Sequence, residues 1–293
     1  MTIRLGAKLP HTGALLTRLG LIPMAKRLEA AGFDSMWVSD HVVFPHQVRS
    51  RYPFSPDGRV TWPVDVDYIE PTVALSAVAP ATESCELGTS VLILPMRNPV
   101  LFAKQAACID VLSGGRLVLG VGAGWLREEF ASLGADFDAR GAVLEEWLEI
   151  ARACWTGSAG PFEGRHYRLP EAVYCRPVPV RTPPVLIGGM SRPALERAAR
   201  ITDGWIAQYA IDDPAEEGIA AGLATMRSAA GDRRDKHFRV VARITGADRR
   251  VQEVARRLSS FAAAGATDIV IDVDWNSDDG PQRAVEVLRA AVA

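Results

Sequence analysis

Eight short apolar segments, each followed by a stretch with helical spacing, run through this chain of 293 residues. Strands separated by helices return in the same direction, so this alternation calls for a parallel sheet. Residues 3–9, 35–39, 86–94 and 117–121 read as the first four strands, and 185–188, 204–208, 239–245 and 268–273 as the next four. Helices are expected over 21–31, 71–79, 99–112, 126–133, 139–155, 193–201, 214–230, 250–264 and 281–292. Eight strand–helix units make an α/β chain with the (β/α)8 TIM barrel fold. A doubly wound open sheet more often stops at five or six strands and opens with a Gly-x-Gly-x-x-Gly turn, which is missing after the first strand. Long insertions fall after strand 2, over the Pro- and Gly-rich residues 41–68, and after strand 4, where two helices and a small hairpin over 160–169 intervene.

No linker or shift in composition interrupts the pattern, so residues 1–293 read as a single domain. Lys plus Arg number 33 against 35 Asp plus Glu, a net charge of −2 without long like-charge runs. Nucleic acid and anionic membrane surfaces are therefore not expected partners. The chain starts almost at once with a strand rather than a charged-then-apolar leader, and no apolar run is long enough to cross a bilayer. A cytoplasmic location is the expectation. Cys85, Cys108, Cys154 and Cys175 are widely spaced, and no Asp, Glu, His or Cys set has the spacing of a metal site.

In such a barrel the chemistry sits where the strands end. Strand 2 ends in Asp40-His41, a pair able to bind a polar ligand edge and move a proton near neutral pH, and equally readable as a capping Asp beside a partly exposed His. Strand 3 contains Thr89-Ser90-Val91, two hydroxyl residues whose buried positions make sense at a bulge facing a ligand or bonded to neighbouring strands. Strand 4 leads into Gly120, Gly122, Ala123, Gly124 and Trp125, where the glycines are expected to let a planar or phosphorylated ligand approach the backbone. Strand 5 ends in Gly188-Gly189-Met190-Ser191-Arg192, opening directly into a helix. This is a phosphate cradle if the ligand carries one, and otherwise an ordinary helix start. His11 and His46 are placed to line the substrate pocket. Glu128 and Glu129 are adjacent on a helix and read as solvated.

On WVSDH (37–41), LGTSVL (87–92), SGGRLVLGVGAGW (113–125), PVLIGG (184–189) and DGW (203–205), the chain resembles the bacterial luciferase-like monooxygenase family, in particular its coenzyme F420-dependent branch. The resemblance spans essentially the whole chain. It implies a cofactor site built from Asp40, Ser90, Val91, Ala123, Gly124, Gly188, Gly189, Met190 and Ser191. Asp40 would contact the deazaflavin's polar edge, and His41 would be the catalytic acid or base. Ser90–Val91 would be a non-proline cis peptide against the ring, and Met190-Ser191 would receive the phosphate. It also implies a homodimer.

Two departures bear on the substrate. Where sugar-phosphate dehydrogenases of this branch carry a glutamate after the strand 4 glycines, this chain has Trp125, and Phe44 stands in place of their loop tryptophan. Glucose 6-phosphate is therefore not the expected substrate. A substrate pocket that includes His11 and is rimmed by Phe44, Trp62 and Trp125 suits an apolar, aromatic or terpenoid-like small molecule better.

The leading expectation is an F420-dependent oxidoreductase passing a hydride between the deazaflavin and a small organic substrate. The alternative within the family is an FMN-dependent monooxygenase supplied by a separate reductase. An alternative of another class is a deazaflavin-binding carrier without turnover. Schiff-base chemistry of the aldolase kind lacks a lysine at a strand end, with Lys8 the near miss.

Overall fold

The computed structural model describes residues 3–233 and 236–291. Strands β1 (Arg4–Lys8), β2 (Ser35–Val38), β3 (Glu86–Thr89), β4 (Leu117–Gly122), β5 (Val185–Gly188), β6 (Gly204–Ala210), β7 (Arg239–Thr245) and β8 (Asp268–Ile271) pair in parallel, each with the next. β8 pairs with β1, which closes the ring into a TIM barrel. Helices α1 (Gly13–Leu19) and α2 (Leu21–Ala31) follow β1, α3 (Pro71–Val78) follows β2, and α4 (Pro99–Leu112) follows β3. After β4 come α5 (Arg127–Ser132) and α6 (Arg140–Trp155), then α7 (Arg192–Ile201), α8 (Ala215–Ala229), α9 (Val251–Ala264) and α10 (Gly280–Ala290) after the last four strands.

Most boundaries follow local chemistry. Gly32, at φ 92°, stops α2, and Asn98 starts α4 by accepting the Val100 and Leu101 amides ahead of Pro99. Helix α1 escapes the sequence reading because it buries no residue and so leaves no apolar stripe. The expected hairpin over 160–169 is two small antiparallel pairs, Ser158–Ala159 with Val173–Tyr174 and Phe162–Glu163 with Arg168–Leu169. Helix α10 ends at Ala290, and the expected end at Val292 lies outside the described residues.

Side chains on a strand alternate between its two faces, so every second residue enters the barrel. Trp37, Val118, Leu186, Ile206, Val241 and Val270 form an apolar layer that seals the interior. Two residues further along their strands come Ser39, Gly188, Gln208, Arg243 and Asp272, all of which line a cavity at the strand ends. The inner surface thus changes from apolar to polar within one pleat.

The strand expected over 86–94 is broken. β3 stops at Thr89, the Ser90–Val91 peptide is cis, and Leu92–Ile93 pairs with β4 again. The glycines of β4 make the room. A Cβ on Gly120 would lie 2.0 Å from the Thr89 carbonyl oxygen, and one on Gly122 would lie 2.7 Å from Cγ2 of Val91. The space read as clear for a ligand at these two glycines is filled by the protein's own bulge. Replacing Gly120→Ala should therefore cost about 2–3 kcal/mol of stability, read as a lower urea midpoint. An unchanged midpoint would mean that the bulge can shift aside.

Candidate active site

The cavity has a volume of about 650 Å³ and occupies the C-terminal mouth of the barrel. Phe44, Tyr52, Phe54, Trp62 and Tyr68, from the long segment after β2, form one side of it, and Trp125 after β4 faces them. The rings meet edge to face, Tyr52 against Trp62 at 4.8 Å and against Trp125 at 5.2 Å. Such contacts hold an irregular segment in one shape while leaving an apolar wall.

His41 stands in this wall, its ring 4.2 Å from that of Phe44. Its Nδ1 lies 2.9 Å from Oε2 of Glu129, and the two side chains are only 11% and 2% exposed. The other carboxylate oxygen of Glu129 accepts the amides of Val42 (2.6 Å) and Val43 (3.2 Å). Its neighbour Glu128 accepts the amides of Arg49 and Ser50 and the Ser50 hydroxyl. The expectation that both glutamates are solvated is thus corrected: from the first turn of α5 they hold the long segment in place. With Nδ1 taken by a carboxylate, Nε2 is the nitrogen left for a ligand.

Asp40 is fixed more deeply. Its oxygens accept the Arg97 guanidinium at 2.6 and 2.9 Å and the Ile93 amide at 2.7 Å, and its side chain has no exposed surface. Burial pushes the Asp40 carboxyl above its ordinary range against the pull of Arg97. Three N–H donors aimed at two oxygens are nonetheless what a carboxylate satisfies and a protonated acid does not. Arg97 also bonds Glu70, and its charged form is favoured by both carboxylates despite burial. Asp40 therefore braces the cavity wall through Arg97.

The structure places the remaining expected residues in two groups. Ser90, Val91, Gly188, Gly189, Phe44, Trp62 and Trp125 line the cavity with Asp40 and His41. Ala123, Gly124, Met190 and Ser191 lie outside its lining, Gly124 with its carbonyl under Arg140 and Ser191 exposed at the start of α7. His46 is exposed and His11 is fully buried, so neither lines the cavity as expected. His11 sits between the carbonyls of Leu9 and Ser39, at 3.1 and 3.0 Å, behind Tyr68.

Lys8, Tyr52, Tyr68, Gln208, Arg243, Thr245 and Asp272 line the cavity without having been singled out for it. A signal was available for the ions. Arg243 is the one charge in the middle of the apolar run RVVARIT, at an inward position. Lys8 follows Gly6, whose hydrogen faces Trp37 and Val270 inside the barrel, so it too points inward. Among the described residues no three His, Cys, Asp or Glu come together as a metal site, and no helix is long and apolar enough to cross a membrane.

Two predictions rest on this geometry. Glu129→Ala strips two amides and an imidazole of their acceptor, a local cost of about 2–3 kcal/mol. Trypsin should then cut at the exposed Arg49, Arg51 and Arg59 about thirtyfold faster or more, and an unaltered rate would show that the aromatic contacts alone hold the segment. For His11, burial pushes the imidazole down to about 4. The unfolded chain, with its ordinary value near 6.5, binds the proton first as pH falls. Stability is therefore full above about 6.5 and drops by about 3 kcal/mol on the way down to pH 4. Urea titrations at pH 7 and 5 should show this slope in the wild type and a shallower one in His11→Asn.

A profile of the luciferase-like monooxygenase family matches residues 11–288. The uncharacterized protein Rv0940c of Mycobacterium tuberculosis is 37% identical over 211 residues, 72% of this chain and 72% of its own. The F420-dependent glucose-6-phosphate dehydrogenase of Amycolatopsis mediterranei is 35% identical over 192 residues, 64% of this chain and 52% of that one. The FMNH(2)-dependent dimethylsulfone monooxygenase of Pseudomonas fluorescens is 32% identical over 176 residues, 59% and 47% of the two. Among solved structures, an F420-dependent secondary alcohol dehydrogenase in complex with an F420-acetone adduct shares the fold at a TM-score of 0.77, with 17% identity over 99% of both chains. The chain belongs to the luciferase-like monooxygenase family, whose members are F420- or FMN-dependent oxidoreductases and monooxygenases, and it is an enzyme.

Proposed function

We propose that this enzyme binds coenzyme F420 in the cavity and transfers a hydride between the deazaflavin and a small organic substrate. The observation that carries the reading is a histidine held by a buried glutamate at the mouth of an aromatic-walled barrel, Nδ1 taken and Nε2 available. A volume of about 650 Å³ suits a tricyclic ring with a small second molecule beside it. Val91 fills the gap beside Gly122 and Gly188, so the bulge after β3 is the surface against which a flat ring would rest. The family's F420-dependent relative at 35% identity supports the same cofactor.

When bound, the deazaflavin would supply a ring carbon that accepts or donates a hydride. The chain would do the rest. Trp125, Trp62 and Tyr52 would exclude water and press the substrate flat. In the oxidising direction His41 would take the hydroxyl proton at Nε2 as the hydride leaves the neighbouring carbon, and in the reverse direction it would return that proton to the carbonyl oxygen. Glu129 would hold the ring and balance its charge. The cofactor's phosphate-bearing chain would run past Gly188 and Gly189 to Ser191 at the start of α7, by Ala123, Gly124 and Met190. Arg140, bonded to the carbonyls of Gly124 and Phe137 and stacked over the Phe137 ring, brings a positive charge to that end.

The flavin reading keeps its place because of the FMNH(2)-dependent relative at 32% identity. It would add oxygen as co-substrate and a separate reductase as partner. Fluorescence titration of the purified protein with each cofactor separates the two, with F420 expected to bind in the micromolar range or tighter. Tight FMN binding without a deazaflavin response would replace the first reading by the second. With F420 and a panel of small alcohols and carbonyl compounds, His41→Ala should lower kcat about a hundredfold or more and leave F420 binding intact. Equal turnover in the variant would remove His41 from the chemistry.

A further inference from the structure

The floor of the cavity, at the side formed by β1, β7 and β8, presents two basic side chains and one acid. Lys8 ends β1, Arg243 lies in β7, and Asp272 follows β8 by one residue; all three line the cavity. Arg243 is bonded to Asp272 and to the carbonyls of Ile244 and Val270, so this pair is satisfied on its own. Asp272 also accepts the Gly246 amide. Among the described residues no acceptor lies within hydrogen-bonding distance of the Lys8 ammonium. With Lys8 protonated, two cations stand against one carboxylate, and the three N–H donors of Lys8 meet no acceptor among the described residues.

Other acids around the cavity do not cancel it, for each is engaged elsewhere. Asp40 and Glu70 hold Arg97, and Glu129 holds His41 with the Val42 and Val43 amides. Burial pushes Lys8 below its ordinary value, and Arg243 pushes it further, against the pull of Asp272. A chain gains nothing in stability from an unpaired ammonium in a desolvated recess, and methionine there would pack better. Its presence makes sense when a ligand brings the counter-charge.

We infer that Lys8 is a specificity residue whose ammonium, with Arg243 behind it, receives the carboxylate of a small organic acid with an apolar body. The class follows from charge and shape. One excess positive charge matches a monoanion, whereas a phosphate dianion would leave a negative charge stranded near Asp272. The body must suit Tyr52, Trp62 and Trp125, the aromatic wall that faces the floor. Gln208, whose amide donates to the Tyr52 hydroxyl, lines the same cavity. This assignment names the substrate class for the proposed oxidoreductase and rests on that reading for its chemistry, though not for the binding itself.

The test uses the cofactor-free full chain and three probes that share a phenyl body, namely benzoate, its neutral isostere benzamide, and phenyl phosphate, with Kd measured by calorimetry or ligand-observed NMR. Benzoate should bind about tenfold or more tightly than benzamide and more tightly than phenyl phosphate. Lys8→Met should abolish the preference for benzoate, and Lys8→Arg should restore most of it. Equal affinity of wild type for benzoate and benzamide would overturn the inference without any variant. So would an unchanged preference in Lys8→Met, and a preference for phenyl phosphate would overturn the carboxylate class. Lys8→Met should also melt no lower than the wild type, whereas a purely structural lysine would lower the melting temperature when removed. An intact benzoate preference in a protein that ignores F420 would defeat the cofactor reading alone. F420 binding without that preference would defeat this inference alone.

Discussion

The mouth of this barrel depends on one buried guanidinium. Arg97 reaches both oxygens of Asp40 at the end of β2, an oxygen of Glu70 at the start of α3, and the carbonyl of Ile93 beyond the bulge. Its own carbonyl accepts the indole N–H of Trp147 on α6. A single side chain, 12% exposed, thus ties together segments that follow β2 and β3, and the same residue's backbone holds α6, which follows β4. Removing one partner from such a pair leaves the other charge buried, at a cost of about 3–5 kcal/mol. The charge cluster at the opposite end of the barrel, Arg239 with Asp268 and Glu86, fastens β3, β7 and β8 in a comparable way. Charges at the two ends of the strands therefore hold the ring in register, and the apolar layer between them excludes water.

Given that frame, the bulge after β3 and the glycines of β4 and β5 form one feature. Gly120 admits the Thr89 carbonyl, and Gly122 and Gly188 flank the Val91 side chain. The Thr89 hydroxyl donates to the Gly120 carbonyl at 2.7 Å, which fastens the bulge to β4 just below the cavity. A side chain at Gly122 or Gly188 would collide with Val91, and one at Gly120 with the Thr89 carbonyl. The glycines matter to a ligand through the shape that they allow their own neighbour to take.

The barrel and its long insertions were legible from periodicity, because each strand is a short apolar run and each helix has a marked start or stop, as with Asn98 and Gly32. His41, Phe44, Trp62 and Trp125 were legible as residues near strand ends or in the long segment, and all four line the cavity. The partners of His41 and Asp40 were not. Glu129 is 88 positions from His41 in sequence and Arg97 is 57 from Asp40, and no local pattern links residues so far apart. Glu129 also sits beside Glu128 in a helical first turn, where acids are common for reasons of the helix dipole alone. His11 misled for a related reason. It follows a strand end, but its position there turns it between two backbone carbonyls and away from the cavity.

The interior of the barrel makes clear why its charges sit where they do. Alternation alone sends Lys8, Gln208, Arg243 and Asp272 inward, directly above a sealed apolar layer, so none of them can find water from below. Arg243 and Asp272 meet this constraint by pairing, since β7 and β8 are neighbours and Arg243 lies opposite Val270, two residues before Asp272. Lys8 has β2 as its other neighbour, where the position in register is Trp37, an apolar ring. The strand order thus denies Lys8 a partner on that side, while Arg243 occupies Asp272 on the other. A basic group left without a partner by topology, in a cavity that aromatic rings also line, is the chemical asymmetry from which the proposed preference for a small acid is argued.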